Sequence, residues 1–363
     1  MKTTVLHVCT SRAWGGMEMI VCRLARLQQQ NGHEVAFACA PGSMIQRTCQ
    51  RDGTATLAMS CNVPGLLTLR KYIGSKRPDI LHVQYSRDLN IAVPANLGIN
   101  SRIILTKQIE SVVVKRDPWH RLLYAGVSRA TGISTMIRDN LVATTPLRAD
   151  QVDLVHLGID MERFKPDPGE RAETRRELGI PASALVVGMM GRMSPGKGFD
   201  DFLDAAAGLA APGLEFVMIG GHSRNEDAYG AYIEDKARQM LGQRVHLTGY
   251  REDRQRWLNA LDIFAFPSHA ESFGLALVEA MATGLPCVAY GKDGVLDIIA
   301  DGADGLFARV RDRGDLRDKL RRLIAEPALR AALGTAARTK AVESFSEQRM
   351  LDGISRTYAK ALA

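Results

Sequence analysis

Short apolar runs alternate with longer stretches of helical periodicity along almost the whole chain, which predicts repeated strand–helix units. Residues 3–9 read as a first strand, 11–16 as a Gly-containing loop, and 17–30 as a helix. That helix presents Met17, Val21, Leu24 and Leu27 on one face and is ended by Gly32. Further strands are predicted at 35–40, 55–59, 80–83, 102–106, around 131–134 and at 152–157, with intervening helices at 63–75, 90–97 and 119–125. Residues 158–169, with Pro166 and Pro168 and no periodicity, read as a linker. The pattern then restarts. Strands fall at 185–190, 215–219, 245–247, 263–266, 287–290 and 306–308, and helices at 199–209, 229–241, 251–260, 273–283, near 295–300, and at 315–324, 328–342 and 346–361. Strand–helix alternation of this kind predicts an α/β chain of two doubly wound Rossmann-like halves with parallel sheets, facing across a cleft. In such sheets ligands bind at the carboxyl ends of the strands.

A length of 363 residues allows two domains, each with its own core, and 46% apolar against 24% charged residues places the chain among globular proteins. No apolar run approaches the roughly 18 residues of a membrane span. The start, MKTTVLHVCTS, has too short an apolar core for a signal peptide. Six scattered Cys without a C-x-x-C pair read as free thiols in a reducing, cytoplasmic setting.

Charge is uneven. Residues 1–165 carry 21 Lys and Arg against 12 Asp and Glu, and the remainder 26 against 28. The basic excess of the first half fits a solvated surface, an anionic acceptor or an anionic membrane surface. Nucleic acid is disfavoured: aromatic residues make up only 6%, and no basic stripe interleaves with them.

Three constellations carry candidate chemistry. The stretch 267–286, PSHAESFGLALVEAMATGLP, reads as a turn leading into a helix closed by Gly284 and Pro286, directly after the buried strand 263–266. Glu271 lies in the turn and Glu279 inside the helix. Helical side chains lean toward the N-terminus, so Glu279 can reach back to the mouth where Glu271 sits. Two carboxylates beside a helix N-terminus suit a polyol joined to a phosphate, although a helix dipole alone also favours such acids. The second is Gly191-Arg192-Met193-Ser194-Pro195-Gly196-Lys197-Gly198, between a strand and a helix. It puts two cations where a diphosphate could sit, but it fails the Walker A pattern and also reads as a plain turn with solvated cations. The third is Trp14-Gly15-Gly16-Met17-Glu18 after the first strand, where glycines allow close approach of a ligand; it is not G-x-G-x-x-G. No Asp-x-Asp, no His/Cys cluster at metal spacing and no G-x-S-x-G is present, so no metal and no cofactor are expected. His82 is placed at a strand end, where a lone His is usually structural.

These residues resemble those of family 4 (group 1) glycosyltransferases of the GT-B fold. The resemblance rests on GRMSPGKG, VHLTGY, LDIFAFPSHAESFGLALVEAMATGLPCVAY and DGADGLF in that order, with WGGMEMIVCRLARLQQQNGHEV and HLGIDMERFKP before them. It implies a retaining, metal-independent transfer of a sugar from a nucleotide-diphosphate donor, UDP- or GDP-linked. It also implies an acceptor-binding domain at 1–160, a donor-binding domain at 161–345, and a final helix 346–363 packed back on the first. By matching position, Arg192 and Lys197 hold the diphosphate, Glu279 the ribose and Glu271 the donor sugar. Phe273, Gly274 and Leu275 offer backbone amides, Gly15 and Gly16 close on the phosphate, and Tyr250 lies in the base-contacting loop. The acceptor expected is a saccharide or lipid-linked group in lipopolysaccharide, polysaccharide or glycolipid synthesis, reached at the inner face of the cytoplasmic membrane.

The sequence departs from the family pattern at four places. Gln108 stands where many relatives have a sugar-contacting His, His82-Val83-Gln84 replaces His-x-His, Leu157 replaces Asn, and Asp297 replaces Glu. Gln108 keeps a hydrogen bond but cannot titrate. Two other readings therefore stay open: a GT-B sugar-nucleotide epimerase, and a non-catalytic sugar-nucleotide-binding protein.

Overall fold

The computed structural model describes residues 2–222 and 226–363, which form two compact units. The first runs through Gly158 and takes in Glu347–Ala363 at the far end of the chain; the second is Ile159–Ser346.

In unit 1 seven parallel strands are β1 (Thr4–Cys9), β2 (Glu34–Cys39), β3 (Ala55–Ala58), β4 (Ile80–Val83), β5 (Arg102–Lys107), β6 (Val127–Gly132) and β7 (Val152–Leu154), ordered 3-2-1-4-5-6-7. Chain order reverses between β1 and β4, so that junction is the topological switch point. One core cluster joins Leu6, Val8, Leu81, Val83, Ile103 and Leu105 to helix residues such as Leu69, Ile73 and Leu141. A second, on Cys9, Phe37 and Cys39, packs against Val21, Cys22 and Ile45. All six cysteines are free, and five are buried.

The last helix, Glu347–Leu362, belongs to unit 1 through polar as well as apolar contacts. Tyr358 donates or accepts at His82 Nδ1 (2.6 Å) and receives a hydrogen bond from Gln28 Nε2 (3.1 Å). Lys360 and Thr357 reach Asp153 on β7 at 2.7 and 3.0 Å.

In unit 2 six parallel strands are β8 (Leu185–Met190), β9 (Leu214–Ile219), β10 (Val245–Leu247), β11 (Ile263–Phe266), β12 (Cys287–Tyr290) and β13 (Leu306–Ala308), ordered 10-9-8-11-12-13. The switch point lies between β8 and β11, paired at Ile263–Val187 and Phe264–Gly188. The two sheets match the doubly wound α/β architecture expected from the alternating pattern.

Several local expectations are corrected. The helix predicted from 273 begins at Leu275, because Gly274 (φ +123°) takes the cap position and Phe273 turns into the core against Phe345. The strand expected around 131–134 is β6, ending at Gly132, and Ser134 instead caps an unforeseen helix, Thr135–Thr144. The linker ends at Asp167: Pro168 opens a helix, Pro168–Glu177, whose almost wholly polar sequence hid it. The helix Met44–Arg51 was likewise hidden by its few apolar positions, while 295–300 holds only part of a short 3-10 turn at Asp293–Asp297. His82 stands one residue before the end of β4 and is fully buried, bonded to Tyr358 OH (2.6 Å) and Thr106 Oγ1 (2.7 Å), the structural role usual for a lone His at a strand end.

Candidate functional site

The two constellations of unit 2 emerge side by side at its switch point. The segment 191–198 leaves β8 and the segment 267–274 leaves β11. They pack backbone to backbone. A Cβ on Gly198 would lie 1.9 Å from the Pro267 carbonyl oxygen, and Gly198 itself sits at φ +78°, so both space and conformation demand glycine there. His269 N–H donates to the Gly196 carbonyl at 2.8 Å, a second tie between the segments.

This packing brings Lys197 and Glu271 together. The Lys197 ammonium donates to Glu271 Oε2 at 2.6 Å, with the side chains 28% and 20% exposed. Ser268 Oγ donates to the same oxygen at 3.3 Å, and Gly294 N–H holds the Glu271 carbonyl at 3.0 Å. Charge and carboxylate are thus fixed at a half-open position, where Coulombic attraction is stronger than in bulk water. Arg192, earlier in the same loop, is exposed. The N–H groups of Leu275 and Ala276 open the helix Leu275–Ala282 and have no intrahelical acceptor.

Behind this pair lies a latch that sequence reasoning missed. Asp201, buried in the first turn of helix Phe199–Ala207, accepts from His269 Nε2 (2.7 Å), Tyr290 OH (2.9 Å) and Arg313 Nε (2.7 Å). Burial pushes the Asp201 carboxyl up, but the hydrogen bonds from His269, Arg313 and Tyr290 outweigh it and hold it below the usual carboxylate range. His269 is therefore clamped between Asp201 and the Gly196 carbonyl, and its ring stacks on Tyr290.

Glu279 is buried and its Oε1 pairs with Arg254 at 2.9 Å. Arg254 also escaped the sequence reading: it follows VHLTGY within the helix expected at 251–260, which begins at Arg254 itself, but no spacing rule links it to Glu279. Tyr250 is 65% exposed on the same segment, next to Arg251, whose guanidinium lies over Trp257 at 4.3 Å.

Gly15, Gly16 and Gln108 belong to unit 1. Gly15 caps the helix Gly16–Gln30, and its N–H donates to Glu18 Oε2 at 3.0 Å. Glu18 Oε1 accepts from Ser11 Oγ at 2.6 Å, so this buried Glu shapes the whole loop. A Cβ on Gly15 would meet nothing closer than Glu18 Oε2 at 3.7 Å, so the protein's own packing does not require glycine there. Gln108 follows β5 and is buried, lining a small cavity of about 20 Å³ with Gln84, Thr106 and Thr131. Among the described residues no group of three or more His, Cys, Asp or Glu is placed to hold a metal ion.

Two parallel, doubly wound sheets with loops converging at the switch point define an α/β protein of the GT-B class, and solved structures agree. The chain superposes on a glycosyltransferase from Rickettsia africae with a TM-score of 0.90 at 18% identity, covering 99% of each chain. It superposes on Anabaena Alr3699/HepE, solved with UDP, with a TM-score of 0.86 at 20% identity, covering 99% of this chain and 100% of that one. Family models match both halves: Glycosyltransferase Family 4 over residues 14–163 and Glycosyl transferases group 1 over residues 170–340. A D-inositol 3-phosphate glycosyltransferase of Frankia alni is 31% identical over 308 residues, 78% of this chain and 75% of that protein. The one from Saccharomonospora viridis is 35% identical over 254 residues, 62% and 56% of the two chains. The chain belongs to the group 1, family 4 glycosyltransferases. Its match spans only about half the length of several of these relatives.

Proposed function

We propose that the protein is a retaining glycosyltransferase that moves a sugar from a nucleotide-diphosphate donor to an acceptor hydroxyl, without a resident metal or cofactor. The observation that carries this reading is the Lys197–Glu271 pair, held at 2.6 Å by two interlocked loops at the switch point of unit 2. In this reading Lys197 and Arg192 take up the charge that grows on the departing diphosphate, assisted by the N–H groups of Gly274 and Leu275 after Phe273. Fixed cations favour that charge more in the transition state than in the ground state, which lowers the barrier. Glu271 orients the donor sugar, Glu279 accepts from the ribose hydroxyls beside Arg254, and Tyr250 borders the base. Gly15 and Gly16 serve the phosphates: the open space over Gly15 supports a ligand, rather than internal packing, as the reason for glycine. Gln108 contacts the transferred sugar by hydrogen bonding. The acceptor oxygen attacks from the face the diphosphate leaves, and its proton passes to a phosphate oxygen.

The relatives that carry the name D-inositol 3-phosphate glycosyltransferase make a polyol phosphate the first soluble acceptor to try. An envelope acceptor (polysaccharide, lipopolysaccharide or glycolipid) met at the inner face of the cytoplasmic membrane belongs to the same proposal. It is supported by the basic excess of unit 1 and by an exposed apolar segment. Ile109, Val112, Val113, Val114, Trp119 and Leu122 are between 49% and 91% exposed, among Lys115, Arg116 and Arg121. Among the described residues no helix is long and apolar enough to cross a membrane.

A thermal-shift panel of UDP-, GDP- and ADP-sugars, followed by transfer assays with and without EDTA, tests the reading. We expect one donor class to raise the melting point, and nucleotide diphosphate to be released only when acceptor is present. Release without acceptor dependence would favour an epimerase-like enzyme. A panel with no shift would count against donor binding altogether, and trapping of a covalent glycosyl–enzyme would sink the front-face mechanism.

A further inference from the structure

Unit 1 holds a second polar cavity, of about 280 Å³, that the donor chemistry does not use. It opens beside the carboxyl ends of β4 and β5, next to that unit's switch point, where doubly wound sheets bind ligands. Arg87, Lys107, Lys115 and His120 line it together with Tyr85 and Ser86, and no carboxylate does.

The carboxylates nearby are committed elsewhere. Asp88 Oδ2 accepts from Thr10 N–H at 2.7 Å, and Oδ1 accepts from Thr10 Oγ1 at 2.5 Å. Asp117 caps the helix Pro118–Ala125 and takes the His120 Nδ1. Among the described residues Lys107 Nζ reaches only the neutral Ser86 Oγ, at 3.3 Å. Burial, and secondarily the Lys115 charge, press the Lys107 ammonium down to about 8, and burial lowers Lys115 as well. Crowding ammonium groups in a half-buried pocket without a counter-charge costs free energy that a bound anion would return.

The walls are set before any ligand arrives. Trp119 Nε1 donates to Asn90 Oδ1 at 3.1 Å, and Asn90 Nδ2 donates to the Arg87 carbonyl at 2.8 Å. These bonds tie the helix bearing His120 to the turn bearing Ser86 and Arg87. Arg87 and the two lysines form a multi-donor cationic set matched to a tetrahedral dianion, and the volume leaves room for a ring-sized body attached to it.

We propose that this pocket binds the phosphate group of a phosphorylated acceptor, with Arg87, Lys107 and Lys115 as its cationic ligands and Ser86 and His120 as hydrogen-bonding partners. The assignment to the acceptor rests on the transferase reading above; the anion site itself does not. A phosphomonoester of a soluble polyol and a phospholipid headgroup present the same chemistry.

The test uses the full chain and the double variant Lys107→Met/Lys115→Met, which keeps the aliphatic stems and removes the charges. Calorimetry with inorganic phosphate, glucose 6-phosphate and glucose is run beside sedimentation with phosphatidylglycerol or phosphatidylcholine vesicles. UDP binding and the thermal melt serve as controls. We expect glucose 6-phosphate to bind where glucose does not, and the double variant to lose at least tenfold in affinity while its UDP affinity and melt stay unchanged. Lysine-dependent binding of phosphatidylglycerol vesicles without sugar-phosphate binding would support the site and assign it to a headgroup. Absence of binding by every phosphate-bearing probe, or equal binding by the double variant, would overturn it. Phosphate binding without any UDP binding would leave this site standing and remove the transferase reading; UDP binding without phosphate binding would do the reverse.

Discussion

Lys197 and Lys107 show how differently two lysines of one chain are used. Lys197 is matched to a carboxylate at 2.6 Å and stays half-open, suited to neutralising charge that appears during a reaction. Replacing it with Met is expected to lower kcat/KM by about 10²–10³-fold, the range for removal of one preorganised donor. Glu271→Gln keeps the shape and should reduce turnover of the donor sugar while UDP binding, measured by calorimetry, persists. Among the described residues Lys107 has no carboxylate partner, and with its ammonium near 8 it is about half protonated at pH 8. An anion bound against Lys107, Lys115, Arg87 and His120 raises that value, so phosphate binding at pH 8 should take up roughly half a proton. Calorimetry in buffers of different ionisation enthalpy reads this directly, and the uptake should vanish in Lys107→Met. At this scale Lys197 and Glu271 were legible, because each lies in a short segment between a strand and a helix. Arg254, Asp201 and His269 were not. Their partners are 25, 68 to 112, and 68 residues away along the chain, and no periodicity encodes such pairings.

At the scale of elements, the site depends on how tightly the loops after β8 and β11 interlock. Gly198→Ala would drive a methyl into the Pro267 carbonyl at a positive φ. Strain of this kind costs about 1–3 kcal/mol, before the clash itself is relieved. Urea unfolding of the variant should show that loss, with donor binding weakened beyond what the stability change explains, because Lys197 is the next residue. The closing helix of unit 1 makes a parallel case. Tyr358→Phe removes the hydroxyl that meets both His82 Nδ1 and Gln28 Nε2 in the core. Leaving those buried groups unmatched should cost about 1–3 kcal/mol, read as a lower urea midpoint at unchanged slope. Strands and long helices of both sheets were readable from apolar runs and 3.6-residue periodicity. The helices Met44–Arg51 and Pro168–Glu177 were not, since their cores rest on two or so buried side chains each.

For the whole molecule, the buried histidines of unit 1 set an acid limit. His7, fully buried between Phe37 and His82, is held by burial at about 4 against an ordinary 6.5; burial also lowers His82. Between those values the unfolded ring binds a proton that the native ring refuses. Stability is therefore complete above pH 6.5 and falls as pH drops toward 4, by about 3 kcal/mol from His7 alone. Thermal scans from pH 7 to 4.5 should show unit 1 melting progressively lower, and His7→Gln should flatten that dependence even if it lowers the melt at pH 7. The loss would appear in the transition of unit 1 because both rings lie in its sheet, on β1 and β4.

The amino-acid order by itself determined the α/β class, the two doubly wound halves, the family and the two loops that carry Lys197 and Glu271. These are local or periodic properties: a strand, a helix or a glycine turn is written in neighbouring residues. Tertiary structure alone decided that Lys197 meets Glu271, that Arg254 holds Glu279, that Asp201 clamps His269, and that His82 is core rather than site. It also gathered Arg87, Lys107, Lys115 and His120, from two strand ends and the segment after them, around one cavity without a carboxylate. Such groupings depend on strand order and loop packing, which bring distant residues within ångströms and leave no periodic trace along the chain.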